Sequence, residues 1–271
     1  MSFDLSVSYV ALEQFEMSLR YSDATEALGL LARITDGFIR IVNTFKTSLK
    51  GIWREFKRSE LKAYHDSNMI AINRFLRAGI FDANIQVPIP SGMKVTYLQA
   101  IMTLADLYKT LDIEETMSLL KDYFSHNGQD GTLVSPTHTT QQIDRLTKDH
   151  VEKTLRTVFT ADRTEEVSLH RVIPTFAELV VIDRRVLEYD AIFQRVERIC
   201  SDLDGIETTI DALVTRYESL AGTVDKNDVD GLYRLVRTAS VQLDMYGVLL
   251  AEMQRVEHNF VIILRRLVTS A

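Results

Sequence analysis

Six histidines (His65, His126, His138, His150, His170 and His258) are scattered along the chain without the spacing that lets two imidazoles share one metal ion. The nearest approach to a metal-binding helix is Glu166-Val167-Ser168-Leu169-His170. A di-iron bundle needs Glu-x-x-His on each of two helices, so this spacing is wrong and has no counterpart. Asp225-Lys226-Asn227-Asp228-Val229-Asp230-Gly231 has the look of a calcium loop. Its register fails: Val229 stands where an oxygen ligand belongs, the glycine comes one residue late, and no bidentate glutamate follows. It reads instead as a turn in which Asn227 or Asp228 caps the last helix and the acids favour its positive end. The single cysteine, Cys200, excludes an intramolecular disulfide and a multi-cysteine zinc site, and it is expected to be a small buried thiol. A glycine-rich phosphate loop, HExxH, GxSxG and CxxC are all absent from the sequence. No catalytic residue, cofactor or metal is expected, and the chain reads as a protein that is not an enzyme.

The elements that would have to position any chemistry are helical. Over 271 residues there are only four prolines and eleven glycines, too few for the turns of a β-sandwich. Hydrophobic residues make up 46% and charged residues 25%, which suits a folded chain with a sizeable core. The net charge of −7 argues against a general nucleic-acid binder, which needs a basic face to neutralise phosphates. The first residues show no basic and apolar pattern of a signal peptide, and no apolar run is long enough to span a membrane.

The last hundred residues carry the clearest pattern. Leu179, Ile182, Val186, Tyr189, Phe193, Val196, Cys200 and Leu203 recur in steps of three and four, and the run resumes at Ile206, Ile210, Leu213, Tyr217 and Leu220. The steps across Val196, Cys200, Leu203 and Ile206 are four, three and three, a slip that should overwind the seam locally. A second run reads Val229, Leu232, Val236, Ala239, Leu243, Tyr246, Leu250, Met253, Glu257, Phe260, Leu264 and Leu267. Such steps draw a narrow apolar seam that must meet another helix. The short link between the runs predicts an antiparallel hairpin of two rods zipped together, each about 60–65 Å long at ~1.5 Å per residue.

Earlier in the chain, Phe3, Leu5, Val7 and Tyr9 alternate as in a strand, and residues 1–22 are ambiguous between strand and short helix. From Asp23 the spacing is helical, with Thr35 filling the one gap, and it runs to Gly79 with any break at Ser59. Val87-Pro88-Ile89-Pro90-Ser91-Gly92 cannot be helix interior and reads as an extended crossing segment. Helices are expected from about Thr96 to Leu111, from Asp112 to near Ser125, and around Thr140 to Phe159. His126 to Thr137 reads as an exposed loop and Ala161 to Arg171 as a polar connection, with Pro174 in the first turn of the long helix. The expected fold is all-α: an elongated bundle built on the antiparallel coiled-coil hairpin of residues 174–271. Residues 1–79 pack with the hairpin, and residues 80–173 form a smaller helical unit on one side.

Charge is uneven. Residues 46–62 hold Lys46, Lys50, Arg54, Lys57, Arg58 and Lys62 against two glutamates, while residues 199–231 hold eight acids against Arg216 and Lys226. Either these are two solvated faces, or the basic stretch of one subunit meets the acidic hairpin end of a neighbour. On the second reading the interaction residues are Lys50, Trp53, Arg54, Lys57 and Arg58 on one side and Asp225, Asp228 and Asp230 on the other. Glu257 occupies a seam position that should be apolar, so either the helix rotates to bring in Val256 or Glu257 is buried and paired.

The order of parts resembles virion structural proteins of large tailed bacteriophages. The residues that carry this are the long helix with Trp53-Arg54-Glu55-Phe56-Lys57-Arg58-Ser59-Glu60-Leu61, then Val87-Pro88-Ile89-Pro90-Ser91-Gly92-Met93, then Tyr97-Leu98-Gln99-Ala100-Ile101. The likeness covers residues 48–125 and brings over no functional residues. It implies a multi-copy component of a tail, baseplate or neck, located in the virion after assembly in the host cytoplasm. Its partners would be further copies of the chain and neighbouring structural proteins. The alternative expectation is a cytoplasmic helical adaptor that takes a partner helix into a groove between the middle unit and the hairpin.

Overall fold

A computed structural model describes residues 27–58, 85–91, 93–111, 113–130, 136–143, 153–155, 164–219 and 226–269. The expectations for residues 1–22, for the helical run beyond Arg58, and for most of the helix from Thr140 to Phe159 lie outside these residues. The described elements are α1 (Ala27–Arg58), β1 (Gln86–Pro90), α2 (Tyr97–Leu111), α3 (Ile113–Asp130), α4 (Thr137–Ile143), β2 (Thr164–Ser168), α5 (Leu169–Val172), α6 (Phe176–Ser219) and α7 (Lys226–Thr269). The fold is therefore all-α with one small two-stranded ribbon.

Local chemistry explains the element ends. Thr96 and Gln99 form a reciprocal capping box at the start of α2: the Gln99 amide donates to Thr96 Oγ1 (3.3 Å), and the Thr96 amide to Gln99 Oε1 (3.0 Å). Thr175 does the same service for α6, accepting from the Glu178 amide at 3.2 Å. The long helix thus starts after Thr175, and Pro174 lies just outside it rather than in its first turn. At α7 the first helical residue is Lys226, so Asn227 and Asp228 fall inside the first turn rather than at its cap. The α3 helix runs on to Asp130, past the expected end near Ser125 and into the segment read as a loop.

The polar segment from Ala161 to Arg171 is not a mere connection. It forms β2 and the single turn α5, and β2 pairs antiparallel with β1, with Val87 opposite Val167 and Ile89 opposite Glu165. The Leu169 amide donates to the Ile85 carbonyl at 2.8 Å, so residues 85, 87 and 89 face β2 with their backbone groups. Pro88 and Pro90, which have no N–H, then face the outer edge of the ribbon, where prolines cost no ladder bond.

Contacts between side chains fix the helix directions. Lys46 of α1 meets Asp204 and Glu207 of α6, and Trp53 meets Glu197, so α1 and α6 run antiparallel. Tyr189 of α6 donates to the Ile101 carbonyl of α2, and Arg195 lies 3.8 Å from Glu114 of α3, so α2 and α3 follow each other parallel to α6. Tyr108 and Tyr97 of α2 pack on Tyr246 and Phe260 of α7, which makes α2 and α7 antiparallel. It follows that α6 and α7 are antiparallel to one another, each 44 residues long.

The two rods nevertheless do not lie side by side. The helix α1 packs against both of them, and the α2–α3 pair packs against both from the other side. Among the described residues, α6 and α7 therefore stand at opposite corners of a four-cornered bundle, and the expected direct zipper between them is corrected. The reason is the width of their apolar faces. Ile199 is buried beside Cys200, and Leu235, Leu249, Val256 and Ile263 are buried beside the α7 seam. A stripe that wide is covered by two neighbours, whereas a two-stranded coiled coil covers only a narrow seam. The middle segment supplies one corner of the bundle, since Tyr97, Ile101, Leu104, Met117, Leu120 and Phe124 join the same continuous core as α1, α6 and α7.

The same width answers the question of Glu257. It is 1% exposed, and so is Val256. No rotation exchanges one for the other, because α7 buries both flanks.

Gly231, the late glycine of the Asp-rich stretch, has a packing role. A Cβ built there would come within 2.7 Å of Pro136 Cδ, a ring atom with little room to move. Gly231→Ala should destabilise the protein by about 1–3 kcal/mol, the usual cost of overpacking. Urea unfolding followed by circular dichroism checks this, and a variant as stable as the parent would contradict the close approach.

Candidate functional site

Two of the described surfaces that gather polar chemistry involve α6. The first is the seam between α1 and α6. Lys46 is 8% exposed, and its ammonium donates to Asp204 Oδ1 and Glu207 Oε2, both at 2.7 Å. Asn43 Nδ2 adds a bond to Glu207 Oε1 at 3.1 Å. Burial lowers the Lys46 pKa, but the hydrogen bonds to Asp204 and Glu207 outweigh it and leave the group above the ordinary lysine range. The hydrogen bond from Lys46 in turn holds the Glu207 carboxyl below the ordinary range.

Two helical turns further, Trp53 is half-buried and its Nε1 donates to Glu197 Oε1 at 2.8 Å. A shallow hollow of about 280 Å³ lies there, lined by Lys50, Trp53, Val196, Glu197, Cys200 and Asp204. Cys200 is buried, and burial pushes its thiol pKa up, which disfavours the thiolate.

The expected interaction residues are thus placed as follows. Lys50 and Arg54 are exposed on α1, and Trp53 is engaged with α6. Lys57 and Arg58 continue α1, with side chains outside the described set. Asp225 lies outside the described residues, Asp228 sits in the first turn of α7 with its side chain undescribed, and Asp230 is exposed. Since Phe45 packs on Tyr246 and α1 runs parallel to α7, Asp230 lies toward the start of α1, away from Lys50. Lys50 and Trp53 come together with acids of the 199–231 stretch and its vicinity, namely Asp204 and Glu197, within one chain. Part of the charge complementarity read as a contact between subunits is therefore used inside the subunit.

The second surface is a groove of about 420 Å³ between α2 and α6. Its floor is Ile101 and Tyr189, both buried, and its α2 wall carries Met102, Ala105, Asp106 and Lys109. The α6 wall carries Arg185, Glu188, Ile192 and Arg195. Met102 is 50% exposed and Val181, one turn before Arg185, is 41% exposed, high values for side chains of this size. Arg185 Nη1 donates to Glu188 Oε2 at 2.9 Å. Arg195 is held by a hydrogen bond to Tyr108 and by the charge of Glu114, which keep its guanidinium above its ordinary pKa. Tyr108 in turn packs on the buried ring of Tyr246, its centroid 5.8 Å away, so this wall is anchored in the core.

The sequence reading expected a groove between the middle unit and the hairpin but did not name its walls, although a signal was there. Met102, Ala105, Asp106 and Lys109 follow steps of three, one and three, a second stripe on a helix whose first stripe is buried. Arg185, Glu188, Ile192 and Arg195 follow steps of three, four and three.

Among the described residues, no group of three or more His, Cys, Asp or Glu side chains comes together as a metal site would require. No helix among them is long and apolar enough to cross a membrane. The class the geometry defines is a four-cornered helical bundle that presents an apolar groove rimmed with charge. Comparison with known protein families, curated proteins and solved structures finds nothing that matches this chain.

The Lys46 cluster sets a pH dependence. The folded-state pKa of Glu207 is depressed, so its contribution is present above the ordinary glutamate pKa and is lost as pH falls through the folded value. That of Lys46 is raised, so its contribution is lost only as pH rises past the ordinary lysine range. Glu207→Gln should flatten the acid limb of the stability curve below a pH of about 4.5 relative to the parent. Lys46→Met should cost about 1–2 kcal/mol near neutrality, a modest figure because Asp204 is 63% exposed and screened. Denaturant titrations at several pH values read both.

Proposed function

We propose that this chain is a non-enzymatic structural protein that assembles in multiple copies, as a component of a tailed-phage particle in its tail, baseplate or neck. The observation that carries the assembly role is the α2–α6 groove. A rigid bundle exposes Met102 and Val181 beside it, and exposed apolar surface rimmed by polar groups marks a partner site. The particle setting is supported by the order of parts over residues 48–125, and it places the protein in the virion after assembly in the host cytoplasm. The strut of this reading is the whole four-cornered bundle, with α6 and α7 as its long diagonal members.

A second reading, a cytoplasmic adaptor that seats a partner helix, is favoured by the position of the same groove between the middle segment and the first long C-terminal helix. Stoichiometry separates the two. Light scattering of the purified protein should give a mass of two or more times 31.0 kDa. A monomer that takes up a single partner in a fixed ratio would favour the adaptor. A monomer that binds nothing would overturn both.

A further inference from the structure

We infer that the occupant of the α2–α6 groove is a second copy of this chain, related by a two-fold axis that passes midway between Asp106 and Lys109 of α2. The inference rests on the multi-copy reading and names the surface through which it acts. On the α6 wall the charges are already used: Arg185 binds Glu188, and Arg195 is held by Tyr108 and Glu114. On the α2 wall, Asp106 and Lys109 make no ion pair among the described residues, and Lys109 is exposed. Among the described residues, the groove therefore offers a partner one unpaired charge of each sign, three residues apart on one stripe.

That arrangement is self-complementary. In a two-fold contact each residue meets a residue of the same patch, so a patch with both signs can pair with itself and a patch of one sign cannot. When two α2 helices cross antiparallel midway between Asp106 and Lys109, Asp106 of each copy faces the partner's Lys109. Ala105 is the small side chain of the stripe, which lets the two backbones approach. Met102, 50% exposed, adds apolar surface to the same stripe. A purely acidic or basic peptide would satisfy one of the two free charges and leave the other facing it with the same sign.

Sedimentation velocity over a range of concentrations tests this on the full chain. The parent should dimerise. Asp106→Lys makes the stripe wholly basic and Lys109→Asp makes it wholly acidic, and each should weaken the dimer about tenfold or more, since two-fold symmetry applies every change twice. An equimolar mixture of the two variants should form a heterodimer of parental strength, and Asp106→Lys/Lys109→Asp should restore the homodimer. Both positions are at the surface, and unchanged thermal melts by circular dichroism confirm that the variants fold. A parent that self-associates indifferently to all three variants overturns this surface and leaves the multi-copy reading standing. A parent that stays monomeric, alone or with a heterologous helix in its groove, overturns the two-fold contact and the multi-copy reading together.

Discussion

The middle of α7 is enclosed on every side, and the rest of the structure follows from that enclosure. Residues 242–247 are buried without interruption, a full circumference of the helix. The helices α1, α2, α3 and α4 and the strand β1 all pack on α7, which makes it the hub of the bundle. A helix in that position cannot keep its polar groups in water, so each needs a partner inside. Gln242 finds two: its Oε1 accepts from Thr116 Oγ1 at 2.5 Å, and its Nε2 donates to the Ile143 carbonyl. Ser240 returns its hydroxyl to the Val236 carbonyl one turn back. These bonds fix the register of α3 and α4 against α7, because an amide with two partners fits only one placement.

Much of this architecture was legible from residue spacing. The seam from Leu179 to Leu213 and the seam from Val229 to Leu267 are buried along their described length, and the two helices have the length and the opposed directions that their short link implied. Spacing did not reveal which helices the seams face. A three–four repeat says that one stripe must be covered, but it is equally consistent with one partner or with two that share the stripe. The distinction lay in the flanking residues Ile199, Leu235, Leu249 and Val256, whose burial turns a seam into a broad face. β2 was missed for a related reason. Thr164-Glu165-Glu166-Val167-Ser168 has a single apolar residue, and it is a strand because Val87 and Ile89 need a pairing partner.

The charged residues divide in the same way. The basic stretch of α1 and the acidic stretch of α6 were visible as opposites, and antiparallel packing brings Lys46 onto Asp204 and Glu207. Composition could not say that the match would be made within the subunit, since that depends on α1 and not α7 lying beside α6. The walls of the α2–α6 groove were less legible than the groove's place between the middle unit and the hairpin. The two walls are 76 or more residues apart in sequence, from Lys109 to Arg185, and the groove's shape exists only once both helices share a floor at Ile101 and Tyr189.

The ribbon of β1 and β2 has one more effect. Its outer β1 margin lacks donors at Pro88 and Pro90, and the Gln86 carbonyl there is already taken by Arg266, whose guanidinium also grips Glu166. With donors missing at both prolines and the Gln86 carbonyl taken, that margin is a poor template for an added strand. At high local concentration this disfavours edge-to-edge pairing of molecules along β1.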